Sequence, residues 1–261
     1  MRFAVHAEWT KLRTVPSTGR LLLAVVALTI ALSAIAASSA STGFCETPAE
    51  CPADLPKLSL TGIWLGQAVV AVLASLAITN EYGTRMITAT LAANPRRVPV
   101  LLIKAGVVTA LVLGAGLVAA AGSLLAGSSI LTGKGFTAGS GYPHLALAEE
   151  PTLRAAAGTV LYLGLVALLS IGIGAIVRDT AGAITTVLGL LYLFPLLATF
   201  ITDPQWRKWL ERISPSSGMN IQNTVGLGQL EVGPWAGLGI LAGWAGAAML
   251  LGALLFRFRD A

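Results

Sequence analysis

The chain has 261 residues, of which 55% are hydrophobic and only 11% are charged, and its mean hydropathy is +0.79. Soluble domains carry roughly 25% charged residues, so this composition argues against a soluble enzyme and predicts an integral membrane protein. The net charge of +5 gives no reason to expect nucleic-acid binding, because its distribution along the chain follows the predicted membrane topology.

Six stretches are long and apolar enough to cross a bilayer as helices. A hydrocarbon core about 30 Å thick needs ~20 apolar residues at a rise of about 1.5 Å per residue. The stretches are continuously apolar, whereas the strands of a membrane barrel alternate with period two. We therefore predict an all-α fold in which residues 1–261 form a single transmembrane domain. Its spans are expected at about 21–40, 61–79, 100–127, 155–177, 181–201 and 235–256.

The segment before the first span has an amphipathic pattern. Its apolar residues fall on one helical face and its charged residues on the other, which is typical of a helix lying in the membrane interface. The alternative is a basic flank that only fixes the topology. The residues of the predicted interface helix are Val5, Trp9, Lys11, Leu12 and Arg13.

The first span has a second interpretation, as a cleavable signal peptide. A basic start and an apolar run precede small residues at 34–37, as a signal peptide requires. The preceding segment is about twenty residues long, however, and the apolar run is at the long end for a signal peptide. We therefore expect the span to be retained.

Both cysteines, Cys45 and Cys51, lie in the first loop after this span. An oxidising compartment would allow them to form a small disulfide-closed ring. The alternative is two unpaired thiols in a loop. We predict the disulfide, as a structural staple.

The connection between the second and third spans, residues 80–99, is longer than most links between packed helices. It combines charged residues with a short apolar run and an Asn-Pro-Arg-Arg turn, and we predict that it docks a partner. The alternative is a purely topological role for its arginines. The residues of the predicted docking loop are Glu81, Tyr82, Gly83, Thr84, Arg85, Pro95, Arg96 and Arg97.

The fifth span contains Pro195, which predicts a kink. A short helix is expected after it, because Asp203 can cap a helix whose first residue is Pro204. Apolar residues then recur at i, i+3, i+4 and i+7, and paired tryptophans suit the headgroup boundary. The residues of this predicted face are Trp206, Trp209, Leu210 and Ile213.

The spans hold little chemistry of their own. Their predicted interiors lack ionisable side chains, and Lys104 lies near the inner end of the third span. Gln67 is the most polar interior residue and is expected to hydrogen-bond between helices. The chain has no phosphate-binding loop of the usual spacing, and we expect no catalytic, cofactor or metal site in it.

The basic residues favour a cytoplasmic N-terminus. With that orientation the inner side carries eleven basic and four acidic residues, and the outer side carries six basic and eight acidic ones. Because basic residues are retained on the cytoplasmic side, both termini are predicted to lie in the cytoplasm.

This arrangement resembles the membrane subunit, or permease, of an ABC-2 type ABC transporter. The resemblance covers nearly the whole chain. It rests on Glu-Trp-Thr-Lys-Leu-Arg at 8–13, on Glu-Tyr-Gly-Thr-Arg at 81–85 with Asn-Pro-Arg-Arg at 94–97 and Lys104, and on Trp-Leu-Glu-Arg-Ile-Ser-Pro-Ser-Ser at 209–217.

The resemblance implies an exporter in the cell membrane. Two permease subunits, identical or homologous, would bind two cytoplasmic ATPase subunits that hold ATP and Mg²⁺. The loop at 81–85 would seat in the ATPase, the N-terminal interface helix would support it, and the helix at 206–213 would help to close an outer gate. Two other classes stay open: a channel or carrier that works without ATP, and a non-transporting membrane protein such as an anchor or an interfacial enzyme.

Overall fold

A computed structural model describes residues 10, 14, 16–42, 53–84, 86, 97–140 and 144–258. All regular structure in these ranges is helical, and six helices are long and apolar enough to cross a membrane. The all-α prediction and the number of candidate spans are confirmed. The helices are α1 (Pro16–Ser39), α2 (Leu55–Ser59), α3 (Ile63–Gly83), α4 (Arg97–Gly133), α5 (Glu150–Val177), α6 (Thr180–Leu188), α7 (Phe194–Phe200), α8 (Pro204–Ile213) and α9 (Pro234–Phe258).

Helix α5 is the centre of the bundle. It packs against α3, α4, α6 and α9 and against the 3₁₀ helix Pro215–Gln222. Its sequence alternates small and large residues, and Gly164 and Gly172 sit where an added side chain would meet α4 and α9. Of the most apolar part of α5, 72% is buried within the chain, so its apolar character serves helix packing more than lipid contact.

The fifth span is a composite helix. Residues Gly189–Leu193 form a π-helical turn between α6 and α7, and Pro195 stands in the first turn of α7. Proline lacks an N–H and clashes with the preceding turn of an α-helix, and a π-bulge is one of the recognised causes of helix distortion. The predicted irregularity therefore takes the form of a widened turn just before the proline.

The predicted boundaries of the loop at 80–99 are wrong at both ends. Helix α3 continues to Gly83, and α4 already begins at Arg97. Glu81, Tyr82 and Gly83 are therefore helical and not part of a loop. The helix continues because no proline interrupts it and because, as described below, Glu81 has a buried partner.

Helix α8 begins as its sequence predicts. The Asp203 carboxylate accepts a hydrogen bond from the Gln205 backbone N–H at 2.8 Å, with Pro204 in the first turn. Trp206 and Trp209 are exposed and contact each other edge to face, with ring centroids 6.0 Å apart. Leu210 and Ile213 are half-buried, so the predicted face exists and its C-terminal half packs on the bundle.

Several predictions fall on residues outside the described ranges. They concern the interface helix, the disulfide and part of the docking loop, and they stay predictions. The residues are Val5, Trp9, Lys11, Leu12, Arg13, Cys45, Cys51, Arg85, Pro95 and Arg96. Of Arg97 only the helical backbone is described.

Candidate functional site

Polar side chains collect at the two ends of α3, which are about 30 Å apart for a helix of 21 residues. One group surrounds Glu81 and Lys104 and includes Tyr82, Arg178 and Phe256; we name it the Lys104 cluster. The other surrounds Asp54, before α2, and borders a cavity beside α8. We name this second group the Asp54 end, and the cavity the α8 cavity.

The Lys104 cluster is built on a buried ion pair. The Lys104 ammonium lies 2.9 Å from a carboxylate oxygen of Glu81, and the two side chains are only 4% and 8% exposed. One comes from the end of α3 and the other from the beginning of α4. Charges are buried at low cost only when they are paired, so this pair fixes the two helices to each other on both sides of residues 84–96.

Arg178 adds the turn between α5 and α6 to the cluster. Its φ of 61° is left-handed, and its N–H closes α5 on the Gly174 carbonyl at 2.9 Å. A left-handed backbone conformation is unfavourable for a residue other than glycine. Contacts of the Arg178 side chain offset this conformational cost. The guanidinium lies 5.1 Å from the centre of the Tyr82 ring, and Tyr82 meets Phe256 of α9 edge to face.

The cluster therefore joins α3, α4, α9 and the α5–α6 turn at one level of the bundle. A hydrogen bond of 2.8 Å from Thr180 to Thr79 adds a further link between α6 and α3. Within the described ranges, no three His, Cys, Asp or Glu side chains come together as a metal site would require. The arrangement therefore connects these helix ends through side-chain contacts.

At the opposite end, the Asp54 carboxylate binds two separate segments. It caps α2 by accepting from the Lys57 N–H at 3.1 Å. It also accepts from the N–H and the hydroxyl of Thr224, both at 2.7 Å, and from the Val225 N–H at 3.2 Å. The segment that follows Pro215–Gln222 is thus anchored to the start of α2.

Helix α8 is tied to the same region by charge. Glu231 lies 2.6 Å from Lys208 and 3.4 Å from Arg212, both on α8. The hydrogen bond from Lys208 lowers the pKa of Glu231 below its ordinary value, and the Arg212 charge acts in the same direction. Trp244 of α9 also donates to the Ile213 carbonyl at 2.8 Å, so these contacts hold the C-terminal half of α8.

The α8 cavity has a volume of about 660 Å³ and lies between α8, the fifth span and residues 214–231. Its lining combines apolar side chains with hydroxyl, amide and charged groups. Ligand pockets typically have volumes of roughly 300–1,000 Å³. The apolar lining residues include Trp64, Phe194, Pro195 and Met219, and the amide side chains include Asn220, Gln222 and Asn223.

Gln67 forms an interhelical hydrogen bond, as its position predicted. It is fully buried in α3 and accepts from the hydroxyl of Tyr162 in α5. One helical turn before Gln67, the Trp64 carbonyl accepts from the hydroxyl of Tyr192, which lies in the π turn. The rings of Tyr192 and Trp64 are in contact, with centroids 6.0 Å apart. The irregular turn of the fifth span thus brings a tyrosine onto α3 directly beside the cavity.

The structure separates the predicted site residues into two places. Glu81 and Tyr82 lie inside the Lys104 cluster, and Gly83 and Thr84 are exposed at the end of α3. Of the predicted α8 residues at the other end, Leu210 lines the cavity, whereas Trp206 and Trp209 are exposed. Sequence reasoning missed Asp54, Arg178 and the amide side chains at 220–223. Lone charges at span ends were an available signal for the first two, whereas nothing local marks the amides.

Neither the scan against models of protein families nor the search of curated proteins found a match to this chain. The described residues form a helical bundle with six candidate membrane spans, as a multi-pass membrane protein has.

Proposed function

We propose that the chain is the permease subunit of an ATP-driven exporter of the ABC-2 class, located in the cell membrane with both termini in the cytoplasm. It would form the translocation path with a second permease subunit, identical or homologous. Energy would come from separate cytoplasmic ATPase subunits, which bind the ATP and Mg²⁺. The chain would itself hydrolyse nothing.

The observation that carries the proposal is the buried Glu81–Lys104 pair. It joins the helices on both sides of residues 84–96, a segment that contains Thr84, Arg85, Pro95 and Arg96 of the predicted docking loop. A force on a segment whose two ends are fixed together moves α3 and α4 as one unit. Glu81 acts in this proposal as a positioning residue, because its side chain is buried and the contact with the ATPase falls to its neighbours.

The rest of the Lys104 cluster gives that movement a route through the bundle. Arg178 and Tyr82 connect α3 to the α5–α6 turn, and Phe256 connects it to α9.

The fifth span is the least covered by the rest of the chain, with 17% of its most apolar part buried. This leaves its outer surface for lipid or for a second permease subunit.

The proposal is tested by purifying the chain from its native membrane in mild detergent. We expect a protein with a phosphate-binding loop to co-purify, and its ATPase activity to depend on the permease. Replacing Arg85 and Arg96 together by Ala should release that subunit. The matched control is Lys134→Ala, which lies after α4 at the opposite end and should leave the complex intact.

Three results would overturn the proposal. The first is that no nucleotide-binding subunit co-purifies, and the second is that Lys134→Ala releases it as readily as the double variant does. The third is an external location for a reporter fused at residue 96. Solute flux through vesicles that contain this chain alone, without ATP, would instead support a passive channel.

A further inference from the structure

Three amide side chains that line the α8 cavity have hydrogen-bond acceptors to offer. The side-chain N–H groups of Asn220, Gln222 and Asn223 donate to backbone carbonyl oxygens of Val232, Leu60 and Asn220, at 3.0, 3.4 and 3.2 Å. A carbonyl oxygen can only accept, so these contacts fix which way each amide is turned. Within the described ranges, no donor reaches the three amide oxygens, which are therefore available to a ligand that brings its own N–H or O–H groups.

The charged residues of the cavity are largely paired with one another. Lys208 meets Glu231 at 2.6 Å, and Arg207 lies 3.9 Å from Glu211. Lys57 adds one further positive charge at the border. Because paired charges attract little beyond each other, recognition in this cavity depends on hydrogen bonds more than on the charge of the ligand.

The apolar part of the cavity lining adjoins exposed residues of the fifth span. Ala198 and Thr199 line the cavity, and their neighbours Leu197 and Phe200 are exposed. A molecule with its polar end among the amides can therefore extend an alkyl chain along α7 into the bilayer. The amide acceptors and the apolar lining residues together fit a ligand with one hydrogen-bonding end and one apolar end.

We propose that the α8 cavity binds an amphipathic molecule whose head carries several hydroxyl groups, such as an alkyl glycoside or a glycolipid. The hydroxyls donate to the oxygens of Asn220, Gln222 and Asn223, and the alkyl chain lies against Trp64, Phe194 and Pro195. This site goes beyond the proposed function and does not depend on it, because binding is measured on the chain alone.

The test uses the full chain in phosphatidylcholine nanodiscs and measures saturable binding of radiolabelled octyl glucoside above the signal of empty nanodiscs. The matched probe is the same glucoside with its hydroxyls methylated, which keeps the skeleton and removes every donor. We expect the methylated probe to bind about tenfold more weakly or worse. Equal saturable binding of the two probes, or none of either, would refute the site.

Location is tested by filling the cavity. Ala198→Trp should abolish the saturable binding, and Ala247→Trp, on an exposed face of α9, should not. Unchanged binding in Ala198→Trp contradicts the proposal. Lipid extracts of the chain purified from its native membrane identify the source: a glycolipid retained by the wild type and lost in Ala198→Trp is a resident lipid, whereas probe binding without a retained lipid indicates a molecule that arrives and leaves.

Discussion

At the Lys104 end of the bundle, opposite charges from two spans meet directly and are buried, whereas at the Asp54 end a carboxylate binds backbone and hydroxyl groups of a segment 170 residues away. The first arrangement joins helices whose backbone N–H and C=O groups already hydrogen-bond within each helix. The second supplies hydrogen-bond partners to a non-helical segment that lacks a regular ladder of its own.

The difference predicts how each end responds to change. Removing one member of a buried ion pair leaves its partner charged in a poorly solvated place, so the loss is large. Removing one acceptor from the Asp54 end exposes N–H groups that water can partly reach, because Val225 is exposed. We therefore expect the Lys104 end to be the more costly to disturb and the Asp54 end the more able to move.

The largest expected effect is that of Lys104→Met, which removes the ammonium from beside the buried Glu81 carboxylate. We expect the free energy of unfolding in detergent to fall by about 3–5 kcal/mol. The double variant Glu81→Leu with Lys104→Met should recover most of that loss, because neither charge is then buried. A double variant that is less stable than Lys104→Met would contradict the pairing.

Next is Gly237→Ala at the Asp54 end. A Cβ at this position would overlap the Ser217 carbonyl oxygen, where α9 packs on the 3₁₀ helix Pro215–Gln222. We expect a loss of roughly 1–3 kcal/mol from overpacking, measured by thermal unfolding. Gly239→Ala is the matched control, because nothing lies within 4 Å of its added Cβ, and it should be neutral or slightly stabilising. Equal losses in both variants would refute this packing.

Sequence patterns predicted what is local. The spans follow from length and apolar content, and the Asp203–Pro204 start of α8 follows from two adjacent residues. Glu81 and Lys104 were also within reach, as lone opposite charges where α3 ends and α4 begins. The sequence pattern instead places Glu81 in a loop and Lys104 near a span end, because helix boundaries depend on buried partners that a pattern does not show.

The Asp54 end could not be predicted in the same way. Asp54 reads locally as the cap of a short helix, which it is, but its contact with Thr224 depends on how α3, α5 and α9 bring distant segments together. The amides at 220–223 have no periodic signal, and the α8 cavity exists only through the packing of three separate segments. A single sequence carries no measure of such long-range proximity.

A smaller effect is expected for Asp54→Asn. The variant keeps one oxygen to cap α2 but turns an NH₂ group toward the N–H groups of Thr224 and Val225, which can only donate. We expect a loss of roughly 1–2 kcal/mol and faster hydrogen exchange at these two amides. Exchange should be unchanged in the Lys104 cluster, and a change there of similar size would mean that the two ends are not independent.

The smallest effect concerns the ion pairs of Glu231, which are exposed and therefore weak. Because the pKa of Glu231 is lowered from its ordinary value of 4.5, its contribution is fully present above that value and is lost as the pH falls through the lowered pKa. Spin labels on α8 and near residue 231 should therefore move apart only in acid, below about pH 4.5. Glu231→Gln should give the separated distance already at neutral pH and remove the pH dependence. If the wild-type distance stays constant to well below that pH, Lys208 and Arg212 do not hold α8 through this carboxylate.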